Sequence, residues 1–289
     1  MSKLGIVCEG GGARGSYTAG VLCWFLEHEI PINYINGISA GAFTASQYVS
    51  KQPDRLKSSS TKWVADPRYM GKTAFFREGS IVGINFVFDE LRTIEPFDEE
   101  TFHSNPVGFE FGLFNLESGE VEFFGKETVR DNYELFKASC KLPILSPITK
   151  SNGKVYFDGG VRNMIPIYRS EEVGNKYNFV ILTKPDNYVR PPESKAELAL
   201  CRVLYGKWPK VVENLKRRHI EFKEEVDYIY EGEKKGTTLV LRPSIDLQVG
   251  RMCSDVDKLY KMFDLGYNDC EARKEEIMAL VNRAKEDQE

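Results

Sequence analysis

Apolar positions along the chain fall into two alternating rhythms. Leu4–Cys8 carries no charged side chain and has the length of one buried strand, and a run of glycines follows it at once. Over residues 16–27, Val21, Leu22, Phe25 and Leu26 recur at helical spacing. The order then repeats, with a strand over 34–38, a glycine turn, and a helix over 42–49. Two successive strand, turn, helix units predict an α/β fold with a parallel sheet. Over 107–124 the text changes to apolar segments broken at Ser118-Gly119, which predicts a β-hairpin. A helix over 131–141 stops before Pro143, and strands are expected over 154–157, 179–182 and 237–241. Residues 196–230 and 256–285 read as largely helical. With no internal repeat and no low-complexity linker, the expectation is one domain over 1–289, with 195–289 its mostly helical C-terminal part.

Composition narrows the class. The 289 residues are 42% apolar and 28% charged, as in globular proteins and far from the disordered regime. A net charge of -4 gives no reason to expect a nucleic-acid partner. No apolar run reaches the length of a membrane span, and the stretch after Lys3 is too short for a signal-peptide core. Six cysteines are scattered without a CxxC pair, which suits a reducing compartment. The expected location is therefore the cytoplasm, with peripheral contact at the inner membrane surface as an addition. Three dispersed histidines and unpaired cysteines offer no ligand cluster, so neither a metal nor a cofactor is expected.

Three short segments carry candidate chemistry. The first, GGGARG, spans Gly10 to Gly15 and has the GxGxxG spacing between a strand and a helix. A dinucleotide site would need an acidic residue about 20 positions on. The chain reads INYINGIS there, with Asn33 and Asn36 instead. An anion-facing helix entrance and a plain tight turn both remain open for this loop. The second, GISAG, spans Gly37 to Gly41 and is a GxSxG match between a strand and a helix, the setting that makes Ser39 a candidate nucleophile on a sharp elbow; its plain reading is a serine N-cap. The third, VYFDGGVRNMIP, puts Asp158 at a strand end before Gly159 and Gly160, as either a proton acceptor or an Asp-Gly hairpin turn. Among the histidines only His219 has the chain position of a triad base, and a charged helix face is its competing home.

In this order, GGGARG, GISAG and DGG resemble the patatin-like phospholipases, and ASCKLPILSPI, Ala138 to Ile148, is similar to that family's segment before the aspartate strand. The resemblance covers 1–180, the part of the chain that holds all three motifs. It implies a three-layer α/β/α sandwich with a mainly parallel central sheet, and helical additions in the C-terminal third. It also implies a Ser-Asp dyad that works without histidine. Position by position, Ser39 becomes the nucleophile and Asp158 the proton acceptor. Gly10, Gly11 and Gly12 become the oxyanion hole, and Arg14 holds the loop or attracts an anionic head group. Gly37, Gly41, Gly159 and Gly160 complete the motifs.

The substrate expected from the resemblance is a lipid carboxylic ester, phospholipid or lysophospholipid. A small-ester or thioester hydrolase with the same dyad, and a nucleotide-binding protein using the glycine loop, stand as alternatives. The apolar stretch 81–91 is read as a lid, a wall of the acyl pocket or a core helix. The basic stretch 205–219 is read either as a packed helix with a solvated face or as a helix resting on an anionic membrane surface.

Overall fold

The computed structural model describes residues 4–131 and 133–287. Its centre is an eight-stranded mixed sheet in the order β5-β6-β3-β2-β1-β7-β8, with β4 paired to β3. The strands are β1 Leu4–Cys8, β2 Tyr34–Gly37, β3 Gly108–Asn115, β4 Val121–Gly125, β5 Thr149–Ser151, β6 Lys154–Asp158, β7 Tyr177–Ile181 and β8 Thr238–Leu241. Neighbours from β3 through β2, β1 and β7 to β8 run parallel. β4 and β6 are antiparallel to β3, and β5 is antiparallel to β6. The parallel expectation thus holds for the centre, while the hairpin β3–β4 and the pair β5–β6 make one side antiparallel.

Both faces of the parallel strands β1, β2, β7 and β8 are buried, so they read as apolar runs rather than as alternations. Leu4, Ile6 and Cys8 of β1 enter a core shared with helix α1, Gly15–Glu27, and helix α2, Ala40–Val49. Val7 and Val180, pointing the other way, meet Phe222 and Ile229 of the helix Pro209–Lys235. A third cluster joins Phe114 and Phe157 to Val211, Val212 and Leu215 of the same helix. The apolar face of 205–219 is therefore used inside the protein.

Helix α1 lies against the helix Val256–Ala272 at backbone contact. A β-carbon on Gly20 would run into the Phe263 carbonyl oxygen, and one on Gly266 into that of Tyr17. Only glycine admits so close a crossing, which ties the far end of the chain to the helix behind the glycine loop.

Several boundaries differ from the sequence expectation. The helix expected over 131–141 is described as Tyr133–Ala138, with Asn132 outside the described residues. The helical stretch after residue 195 is broken into Lys195–Leu204 and Pro209–Lys235 by a turn at Tyr205–Trp208. The last stretch divides into Val256–Ala272 and Lys274–Glu286. Among the described residues no helix is long and apolar enough to cross a membrane.

Candidate active site

The GISAG segment forms a strained elbow. Ser39 has φ 57° and ψ -128°, a backbone region that costs a non-glycine residue of order 1–3 kcal/mol. It stands at the N-cap position of α2, yet its side chain makes no capping hydrogen bond, so the capping reading does not hold. The two flanking glycines are steric requirements. An added β-carbon at Gly37 would stand 2.5 Å from the Gly41 carbonyl carbon, and one at Gly41 would stand 2.5 Å from the Cys8 carbonyl oxygen. The turn backs directly onto the end of β1 and presents the half-buried serine at the carboxyl edge of the parallel strands.

Asp158 reaches this edge from the opposite direction. β2 runs parallel to β3 and pairs Gly37 with Phe111; β6 runs antiparallel and pairs Asp158 with Leu113. The ends of the two strands therefore meet a short step apart along β3. Asp158 is fully buried, its N–H donates to the Lys141 carbonyl at 2.8 Å, and its Oδ1 accepts the Gly160 N–H at 2.7 Å. The sequence Asp-Gly-Gly thus makes a tight 3-10 turn and not a hairpin. Oδ2 has no hydrogen-bond partner of good geometry. Burial pushes the Asp158 pKa up to about 6, opposed by the nearby Ser39 hydroxyl, the Gly160 N–H, and the Arg218 and Arg251 charges. The serine thus lies near enough to favour the ionised carboxylate without forming a full hydrogen bond to it.

The glycine loop is held from three sides. The Gly10 N–H donates to Met164 O at 3.2 Å and the Ala13 N–H to Arg251 O at 3.0 Å. The Gly10 amide is therefore engaged within the fold, whereas no such backbone bond from the Gly11 or Gly12 amide is found among the described residues. Gly12 has φ 59°, a left-handed conformation suited to glycine. Arg14 donates from Nε to Val249 O at 2.8 Å, a bond that ties the end of the loop to the segment leading to Arg251. Beneath the loop, buried Glu9 accepts from the Thr183 N–H and hydroxyl at 2.6 and 2.9 Å and pairs with buried Lys184. Thr183 in turn lies where a side chain on Gly11 would go.

A narrow cavity of about 60 Å³ opens between Ser39 and Gly12 and runs among Phe43, Met70, Val82, Val87 and Leu145. Val82 and Val87 come from the apolar stretch 81–91, which supplies a wall of the cavity; Phe86–Glu90 within it is a short π-helix. A larger cleft of about 450 Å³ lies behind the glycine loop, but Ser39 does not line it, and its Arg14 and Lys184 are already engaged. The smaller cavity is the one beside the nucleophilic candidate.

His219 lies on the helix Pro209–Lys235, and its buried Nδ1 has no hydrogen-bond partner among the described residues. His28 stacks on Trp24 and bonds to its carbonyl, and no histidine is among the hydrogen-bond partners found for Ser39 or Asp158. Asn33 and Asn36, standing where a ribose-binding carboxylate would be required, bond to Leu4 N and Pro166 O. Sequence reading missed Glu9, Arg218 and Arg251. Their partners are remote in the chain or in an unpatterned loop, so no local spacing announces them.

The fold is a mixed α/β sheet with a strained serine elbow at the carboxyl edge of its parallel strands, and comparison with known families gives the class. The chain belongs to the patatin-like phospholipase family, whose model matches residues 6–169. A second family model, described as a domain of unknown function, matches residues 208–282. Among curated proteins the chain is 24% identical over 196 residues to the uncharacterised Escherichia coli (strain K12) protein YjjU, covering 66% of this chain and 55% of that one. It is 22% identical over 284 residues to lysophospholipase NTE1 of Lodderomyces elongisporus, covering 92% of this chain and 19% of that one. The chain thus spans about half of the bacterial relative and under a fifth of the fungal one. Among solved structures, VipD from Legionella pneumophila aligns with a TM-score of 0.43 at 12% identity, over 97% of this chain and 66% of that one.

Proposed function

We propose that the protein is a serine acyl hydrolase of lipid carboxylic esters, acting through Ser39 and Asp158. The observation that carries this reading is the meeting of a strained, uncapped serine with a buried carboxylate whose Oδ2 is unpartnered, at the mouth of an apolar cavity. A serine hydroxyl is a poor nucleophile until a base takes its proton, and a carboxylate with its pKa near 6 is a better base than a free aspartate.

In this mechanism the acyl chain enters the cavity and the ester carbonyl lies over the glycine loop. Ser39 Oγ attacks the carbonyl carbon as Asp158 takes its proton. The carbonyl oxygen becomes an alkoxide facing the Gly11 and Gly12 amides, each such donor being worth on the order of 3 kcal/mol. Asp158 then returns the proton to the leaving alcohol, and the acyl-enzyme remains. A water that gives its proton to Asp158 attacks the acyl carbonyl, and Ser39 is regenerated on release of the acid.

Membership of the patatin-like phospholipases and the lysophospholipase names of fungal relatives support lipid esters as the substrate class. The narrow cavity favours a second reading, in which the same pair cleaves short-chain esters or thioesters. Labelling with a fluorophosphonate, with the adduct located by mass spectrometry, tests the chemistry. An adduct on Ser39 is expected, and a folded protein that reacts elsewhere or not at all overturns it. A panel of lysophospholipids, acylglycerols and short-chain esters then separates the two substrate readings.

A further inference from the structure

Two guanidinium groups, those of Arg218 and Arg251, lie in electrostatic reach of Asp158, a third, that of Arg190, lies beside Arg218, and all three come from outside the stretch matched by the patatin-like family model. Arg218 lies on the helix Pro209–Lys235 and is 8% exposed. Its Nη2 is 3.7 Å from the point where a Gly160 β-carbon would stand, next to the turn that holds Asp158. Arg251 lines the Ser39 cavity, and its backbone and Cγ cover Gly12. It is placed there by two bonds from the glycine segment, Ala13 N–H to Arg251 O and Arg14 Nε to Val249 O. Arg190 is drawn toward Arg218 by the Glu193 carboxylate that they share.

These groups are short of acceptors. Glu193 Oε1 takes Arg218 Nη1 at 3.1 Å and Arg190 Nη2 at 3.4 Å, one oxygen serving two cations. The Nε atoms of both Arg190 and Arg218 are buried with no hydrogen-bond partner. No ion pair to Arg251 is found among the described residues. Glu197 is near enough to feel Arg218 and Arg251, but its Oε2 is committed to the Ser194 N–H and hydroxyl in a capping box. Asp158, a further carboxylate in range, keeps one oxygen for Gly160. Burial, with Arg190 and Arg251 as like charges, brings the Arg218 pKa down to about 10.

Buried donors left unpaired cost free energy until an acceptor arrives. The acceptor that matches forked donors on several guanidinium groups is a tetrahedral oxyanion with several oxygens and no donors of its own. We propose that Arg218, Arg190 and Arg251 form a binding site for the phosphate of a phosphorylated glycerolipid, holding the head group while its acyl ester lies at Ser39. This rests on the acyl-hydrolase reading and deepens it, since it selects phospholipid or lysophospholipid over neutral acylglycerol. It also gives the segment 208–282 a task, because two of the three arginines belong to it.

The test compares a lysophospholipid with the monoacylglycerol of the same acyl chain in Arg251→Gln, Arg218→Gln and Arg218→Lys. The quantity read is the ratio of the two kcat/KM values. Loss of a positive charge near Asp158 acts on both substrates and cancels in the ratio, whereas loss of a phosphate contact does not. The ratio is expected to fall about tenfold or more in each glutamine variant, the worth of one charge-assisted hydrogen bond, and less in Arg218→Lys. Because Arg218 is buried and its variants risk misfolding, the exposed Arg251 carries the same test by itself. An unchanged ratio in folded Arg251→Gln overturns the proposal.

A binding arm keeps this separate from the hydrolase reading. Ser39→Ala protein is titrated with glycerol 3-phosphate, inorganic phosphate and glycerol. Saturable binding of glycerol 3-phosphate that Arg251→Gln weakens supports the site even if no ester is ever cleaved. Inorganic phosphate binding as tightly as glycerol 3-phosphate, with no effect of Arg251→Gln on the substrate ratio, points to free phosphate and overturns the head-group assignment.

Discussion

Ser39 and Asp158 are brought together by the register of a single strand. Gly37, two residues before the serine, is paired with Phe111 of β3, and Asp158 with Leu113 of the same strand. One strand arrives parallel and the other antiparallel, so their carboxyl ends face each other. Two side chains remote from each other in the sequence thus depend on short-range pairing to one ruler.

Replacing Ser39 with alanine removes the nucleophile that forms the acyl-enzyme in the mechanism above. Ester hydrolysis is expected to fall by at least about a thousandfold, to what the amides and binding alone provide, while circular dichroism stays that of the parent. Near-normal turnover in a folded Ser39→Ala protein removes Ser39 from the mechanism.

The base should be visible in the pH profile. With the Asp158 pKa near 6, kcat/KM on an uncharged ester is expected to rise with unit slope below about pH 6 and to level off above about pH 7. A profile still rising with unit slope from pH 7 to pH 9 identifies a different base.

Asp158→Asn should be inactive yet more stable. Because folding raises the Asp158 pKa, its favourable contribution is fully present below the unfolded pKa near 4 and is lost as pH rises through about 6. Asparagine keeps the neutral form at every pH. Its advantage over aspartate is therefore expected to reach on the order of 2–3 kcal/mol near pH 8 and to vanish near pH 4. Thermal melts of both proteins at the two pH values measure it, and a variant less stable than the parent near pH 8 contradicts the burial argument.

The elbow should not tolerate a methyl group. A β-carbon at Gly41 meets the Cys8 and Glu9 carbonyl oxygens at 2.5 and 2.7 Å, both backbone atoms that cannot swing away. Gly41→Ala is expected to cost about 3 kcal/mol or more, with activity lost in whatever fraction folds. Urea denaturation checks the stability loss.

Beneath the glycine loop, Glu9 and Lys184 form a buried pair in which burial lowers the Lys184 pKa and Glu9 opposes it. Removing one partner, as in Glu9→Gln or Lys184→Met, should cost about 3–5 kcal/mol because it leaves a buried charge alone. The double variant should lose less than the sum of the two. A denaturation cycle on the four proteins reads the coupling, and full additivity would show that the pair does not interact.

What could be read from sequence alone follows the range of the interactions. Ser39 and its flanking glycines are legible because the elbow is local, one short segment with a strand before and a helix after. Asp158 becomes legible only beside the other two motifs, since Asp-Gly is equally the text of a hairpin. The strand β5, Thr149–Ser151, is too short to show a period. Met70 and Leu145 line the cavity from loops far apart in the chain, and nothing in their neighbourhoods marks them as neighbours. The roles of Glu9 and Arg251 lie in what they touch across the sheet edge, which composition and spacing do not encode. Gly10 reads with its neighbours as an oxyanion donor because the motif does not say which of its amides the fold has already taken.

The glycine-to-backbone crossing of α1 with the helix Val256–Ala272 has a bearing on engineering by recombination. Grafting the part of the chain before Pro209 onto a tail from a distant relative would demand a matching notch at the positions of Gly20 and Gly266, or the incoming helix would be pushed outward. Such a displacement would also drag away the loop that precedes it, and with it Arg251. Chimaeras that keep both notches are the ones from which a working hybrid can be drawn.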